Sequence, residues 1–102
     1  YNMPKEQSNI KERSHIEFKE PQMYKVVMHN DDFTTMDFVV KVLKVVFHKD
    51  EATANQLMLT VHNSDKATVG IYTLDMAQSK CNWAMRMARE EGFPFKVTYE
   101  PD

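Results

Sequence analysis

Met23-Tyr24-Lys25-Val26-Val27-Met28-His29-Asn30-Asp31-Asp32-Phe33-Thr34-Thr35-Met36-Asp37-Phe38-Val39-Val40 decides the fold, because its hydrophobic period changes midway. Tyr24, Val26 and Met28 alternate with Lys25, Val27 and His29, as in a strand with at least one buried face. Asn30-Asp31-Asp32 is a polar turn. Thr34 then reads as a helix N-cap with Asp37 three residues later, a carboxylate variant of the capping box. The helix it opens is expected to run to about His48. Met36, Val39, Val40, Leu43, Val46 and Phe47 recur at three- and four-residue steps, and Phe38, Val42 and Val45 widen the apolar face. So broad a face implies contact on more than one side.

Working towards the C-terminus, Asp50 is a cap for a second helix in which Ala54, Leu57, Met58 and Val61 share a face. His62 follows Met58 by one turn and is expected beside it. Asn63-Ser64-Asp65 is turn-forming, and Ala67 to Tyr72 reads as a strand containing Gly70, with Val69 and Ile71 on one face. Thr73 is the expected cap of a third helix that turns Leu74, Ala77, Cys81, Ala84, Met85 and Ala88 inward and stops at Gly92, with Pro94 just beyond. Phe95, Val97 and Tyr99 alternate as a last strand. The order is β-α-α-β-α-β, an α+β domain with a small sheet covered by helices.

Working towards the N-terminus, residues 1–21 are rich in Lys, Glu, Asn, Gln and Ser, and Ile10, Ile16 and Phe18 show no period that builds a core. They are expected to form a flexible extension, leaving 22–102 as the folded domain. Met3 is the expected natural start, with Tyr1 and Asn2 left over from cloning. A free Tyr1 would itself be a large hydrophobic terminus.

A chain of 102 residues supports one core rather than two. With 42% hydrophobic and 27% charged residues it has the composition of a globular protein. A net charge of −2 gives no electrostatic reason to expect nucleic acid or an anionic membrane as partner. The single cysteine, Cys81, excludes an internal disulfide, and no Cys/His cluster suggests a metal. No run approaches the roughly 18 apolar residues of a membrane span, and the first twenty residues are too charged for a signal peptide. Cytoplasmic localisation, a monomeric state and no cofactor are the expectations.

Residues 30–39 combine polar side chains, a helix start and an apolar stripe, and Gln56-Leu57-Met58-Leu59-Thr60-Val61-His62 sets an imidazole after another apolar face. Taken singly, each feature is an ordinary turn, a core methionine or a structural histidine. A catalytic reading that pairs Asp31 or Asp32 with His62 lacks a nucleophile constellation, a Gly-rich phosphate loop or paired-His spacing. The chain is expected not to be an enzyme.

Together these segments resemble the ClpS family, whose core motif is similar to Asn-Asp-Asp-Tyr-Thr-Pro-Met-Glu-Phe-Val and whose second helix is similar to Leu-Met-Leu-x-Val-His. A Pro-x-Met-Tyr-Lys-Val entry at Pro21 extends the resemblance from there to the C-terminus. Departures are Phe33 for Tyr, Thr35 for Pro, and Phe95 where an aliphatic residue is common. The resemblance implies a three-stranded antiparallel sheet packed with three helices, similar in layout to the ribosomal stalk protein C-terminal domain. It also implies an adaptor that binds N-degron substrates by the free α-amino group and a large first side chain (Leu, Phe, Tyr or Trp).

By that resemblance Asn30, Asp31, Asp32 and His62 surround the α-amino group, and Thr34, Met36, Val39, Met58, Val61 and Phe95 line the side-chain cavity. Asp75 and Lys80 match family positions that dock onto the N-terminal domain of a Clp AAA+ unfoldase of ClpA or ClpC type, and the N-terminal extension matches a segment needed for handover. The alternative is a non-catalytic interaction domain of the same fold with no such pocket.

Overall fold

A computed structural model describes residues 20–102. Most of the expected extension, with Met3 and Tyr1, lies outside the described residues. Six elements follow one another: β1 (Tyr24–His29), α1 (Met36–Val45), α2 (Glu51–Ser64), β2 (Lys66–Tyr72), α3 (Leu74–Glu90) and β3 (Lys96–Pro101). The strands form one antiparallel sheet in the order β2-β1-β3. This is the expected β-α-α-β-α-β arrangement, with the apolar strand β1 central. α3 contacts all three strands, α2 contacts β2, and α1 packs against α2 and α3. The core between sheet and helices holds Val26, Met28, Val69 and Val97 against Val42, Leu43, Ala77, Cys81 and Ala84.

The helix ends differ from the expectation in instructive ways. Thr35, not Thr34, is the N-cap of α1, accepting a hydrogen bond from the Phe38 N–H at 3.2 Å. The Thr34 hydroxyl instead donates to Asp31 at 2.7 Å. The capping box with Asp37 therefore does not form. At its other end α1 stops at Val45, short of the expected His48. His48 adopts the left-handed conformation (φ 54°), and the Lys49 N–H closes back on the Leu43 carbonyl at 3.0 Å. Asp50 caps α2 as expected, accepting from the Thr53 N–H at 3.1 Å. Thr73 holds the N-cap position of α3 without a side-chain capping bond.

α3 ends in a Schellman turn. Gly92 N–H bonds the Arg89 carbonyl and Phe93 N–H the Ala88 carbonyl, at 3.1 and 2.9 Å. Gly92 sits at φ 79°, where any side chain is strained. Arg89 Nη1 then donates to the carbonyls of Phe93 and Phe95, at 2.9 and 3.0 Å. That connection places both rings edge-on to Phe38, with centroids 5.1 and 6.2 Å away, and so ties α1 to the approach of β3.

β2 carries a bulge. Val26 pairs with Gly70 but Val27 pairs with Thr68, so Val69 is the extra residue. The phase of β2 therefore reverses after Val69. Val69 is buried while Ile71 is half exposed, not on the same face as expected. A Cβ at Gly70 would run into the Tyr72 ring, which accounts for glycine there.

Lys80 overturns the expected inward set of α3 most clearly. It is 7% exposed, its Nζ donates to the Val46 carbonyl at 2.7 Å, and the ammonium lies 5.7 and 5.2 Å from the ring centroids of Phe47 and Tyr72. A buried cation is tolerable only when so satisfied. Leu74, expected inside, is 39% exposed.

Replacing Lys80 with Ala removes its stem from the Phe47 and Tyr72 rings and strands the Val46 carbonyl. Stability should fall by about 2 kcal/mol, read as a lower urea midpoint with unchanged slope. Gly92→Ala should cost about 1 kcal/mol by the same measurement, since no neighbour obstructs the new methyl and only the backbone conformation resists it.

Candidate functional site

β1 delivers the chain at His29 to a loop tied at both ends. The Asn30 N–H donates to the carbonyl of Asp65, the left-handed residue closing α2, at 2.7 Å. One residue on, Asp31 Oδ1 accepts from the N–H groups of Phe33 and Thr34 at 2.8 and 2.7 Å, and Oδ2 accepts from the Thr34 hydroxyl at 2.7 Å. Partial burial opposes the charge on Asp31. The bonds from Thr34 and Phe33, with Arg89 nearby, outweigh it and hold this carboxyl below the ordinary carboxylate range. Thr35 then starts α1, so the loop passes from strand to helix without a free joint.

The two helices supply the walls. Met36 and Val39 are three residues apart on α1, and Met58, Val61 and His62 share one face of α2. Ala54 and Val61 are buried on that face, which fixes its rotation towards α1. Loop and helices enclose a cavity of about 430 Å³, lined by Asn30, Asp31, Asp32, Phe33, Thr34, Thr35, Met36, Val39, Met58, Val61 and His62. Its volume lies within the range of small-ligand sites.

Nine of the sequence-derived site residues therefore meet around one space. Phe95 does not join them. It is 1% exposed and packed edge-on to Phe38, in the core rather than on the cavity wall. A strand-preceding aromatic two residues before Val97 has the phase of the inner sheet face, and that phase points it at α1. Asp75 lies exposed in the first turn of α3 and Lys80 is buried as described, both outside the cavity lining. Phe33 and Thr35 do line the cavity although no role was expected of them. Their position inside the loop motif was the available signal.

One end of the cavity is polar and the other apolar. Among the described residues no hydrogen bond engages the side chains of Asn30, Asp32 or His62, whereas Asp31 accepts three. Asp32 and His62 are exposed and Asn30 is partly so. These groups can accept hydrogen bonds from a cation, while Met36, Val39, Met58 and Val61 offer only apolar surface. Among the described residues no three His, Cys, Asp or Glu side chains converge as a metal site. No described helix is long and apolar enough to cross a membrane.

Comparison with known proteins gives a consistent result. The family model "ATP-dependent Clp protease adaptor protein ClpS" matches residues 19–98. An ATP-dependent Clp protease adapter protein ClpS from Acetivibrio thermocellus is 47% identical over 97 residues, covering 95% of this chain and 98% of the relative. One from Desulfotalea psychrophila is 42% identical over 98 residues, covering 96% of each. Among solved structures, Agrobacterium tumefaciens ClpS2 bound to L-phenylalaninamide superposes with a TM-score of 0.79 at 40% identity, over 81% of this chain and 100% of that one. With the family model spanning the folded domain and relatives matching almost end to end, the chain belongs to the ClpS family of ATP-dependent Clp protease adaptors.

Proposed function

We propose that this chain binds N-degron substrates by their free α-amino group and large hydrophobic first side chain, and delivers them to a Clp AAA+ unfoldase for degradation. The observation that carries this reading is the juxtaposition, in one cavity, of uncommitted acceptors with an apolar wall. The ligand of the Agrobacterium tumefaciens relative, L-phenylalaninamide, has both halves of such a target.

An α-amino group is largely cationic at neutral pH and needs acceptors. Asp31 has given its oxygens to the loop, so Asp32 is the carboxylate left to face the ammonium, with the Asn30 side-chain carbonyl and an unprotonated His62 nitrogen. The first side chain then lies between Met36, Val39, Met58 and Val61. Burying a Leu or Phe side chain is worth roughly 1.5–3 kcal/mol, and a charge-assisted hydrogen bond about 1.5–3 kcal/mol. Micromolar binding needs about 8 kcal/mol, so neither half suffices alone. That is the physical basis of selecting a free terminus that also carries a large side chain.

Delivery uses a different surface. Asp75, exposed at the start of α3, faces the N-terminal domain of a ClpA- or ClpC-type unfoldase; Lys80, expected to share that contact, is instead buried with its ammonium on the Val46 carbonyl and is left out of it. Residues 1–21 serve the handover. The adaptor acts in the cytoplasm as a monomer and catalyses no reaction itself.

A fluorescent peptide beginning with Leu should bind, and N-acetylation should weaken it by at least tenfold, since the ammonium and its charge-assisted bonds disappear together. His62→Ala should weaken the free peptide but leave the acetylated one unchanged. Equal binding of free and acetylated peptides would sink the proposal. Met36 lines the cavity and is 44% exposed, which fits a side chain that narrows the entrance. A peptide beginning with the β-branched Ile should bind more weakly than the Leu peptide, and Met36→Ala should reduce that difference; equal affinities in the unaltered protein would remove Met36 as a gate.

A further inference from the structure

Phe33 is the most exposed large apolar side chain among the described residues, at 73%. The loop fixes the backbone that carries it. Its backbone N–H is held by Asp31 Oδ1 at 2.8 Å and the next N–H by the same oxygen. It belongs to none of the aromatic pairs of the described residues. Phe33 nevertheless belongs to the cavity lining, as does the half-exposed Met36. Other exposed apolar side chains, such as Leu59, Ile71 and Trp83, take no part in that lining.

A chain whose ammonium is held at Asn30, Asp32 and His62 has its second Cα only about 3.8 Å beyond the first. The second side chain therefore leaves the mouth among the residues that rim it.

Resting on the reading of the cavity given above, we infer that Phe33, with the exposed flank of Met36, forms a second subsite that takes the side chain of the substrate's second residue and favours apolar or aromatic side chains there. The occupant is the same peptide chain that fills the cavity, because the patch is continuous with the cavity wall. Phe33 is thus a specificity-determining residue acting by contact, distinct from the acceptors that fix the terminus.

The test measures affinities of two free peptides, Leu-Phe and Leu-Gly at their first two positions and otherwise identical, for the unaltered chain, Phe33→Ala and Phe33→Tyr. A partly buried aromatic contact corresponds to about fivefold tighter binding of the Leu-Phe peptide. That ratio should fall to about one in Phe33→Ala and persist in Phe33→Tyr, while loss of binding on acetylation persists in all three. Because the ring is exposed and only its backbone N–H is used by the loop, neither substitution should disturb folding. A ratio of one in the unaltered chain, or a ratio unchanged by Phe33→Ala, overturns the subsite while leaving the terminal-residue reading standing. Absence of binding by any Leu-started peptide overturns both.

Discussion

The cavity depends on one carboxylate that does not itself face it as a free acceptor. Asp31 collects three hydrogen bonds from the two residues that follow the turn, and in doing so sets the backbone of the whole strand-to-helix passage. Thr34 bonds back to Asp31, Thr35 caps α1, and the helix begins at Met36 in the cavity lining. Because Asp31 is spent on Thr34, its neighbours remain chemically available. A loop that solves its own hydrogen-bonding problem with one side chain can leave the next one unsatisfied, and an unsatisfied, exposed acceptor is what a cationic ligand requires.

The second requirement is that the walls keep their spacing. α1 is short, and its position is defined at both ends by contacts outside it. At the N-terminal end Phe38 meets Phe93 and Phe95; at the C-terminal end the Val46 carbonyl receives Lys80. Both contacts come from the segment running through α3 into β3, so the wall carrying Met36 and Val39 is braced from the side away from α2. Lys44 and Glu51, 2.9 Å apart and largely exposed, add only a weak tie between α1 and α2.

Element order and type were legible because the hydrophobic periods of β1, α1 and β3 are long and uninterrupted. The cavity lining was legible for a different reason. A helix face defined by Met36 and Val39, and another defined by Met58, Val61 and His62, require only that the two helices pack face to face. What could not be read lies in choices between neighbours. Two adjacent threonines look equal as caps, and only the folded loop shows Thr34 turned to Asp31 and Thr35 to the helix. Val69 and Ile71 share a face in any regular strand, and only the bulge, hinted at by Gly70, separates them. Lys80 reads as part of a docking surface because nothing local announces a carbonyl and two rings from elsewhere in the chain. Phe95 had the right company but the wrong direction, being turned into the core by the register of β3.

The bulge at Val69 has a bearing on how such a protein survives its own surroundings. β2 lies at the edge of the sheet, and a straight edge strand presents a regular row of unpaired donors and acceptors on which any extended polypeptide can assemble. An extra residue interrupts that row and bends the strand, so its spacing no longer matches a second chain. The same irregularity that turns Ile71 outward thus guards the sheet against being extended by another chain.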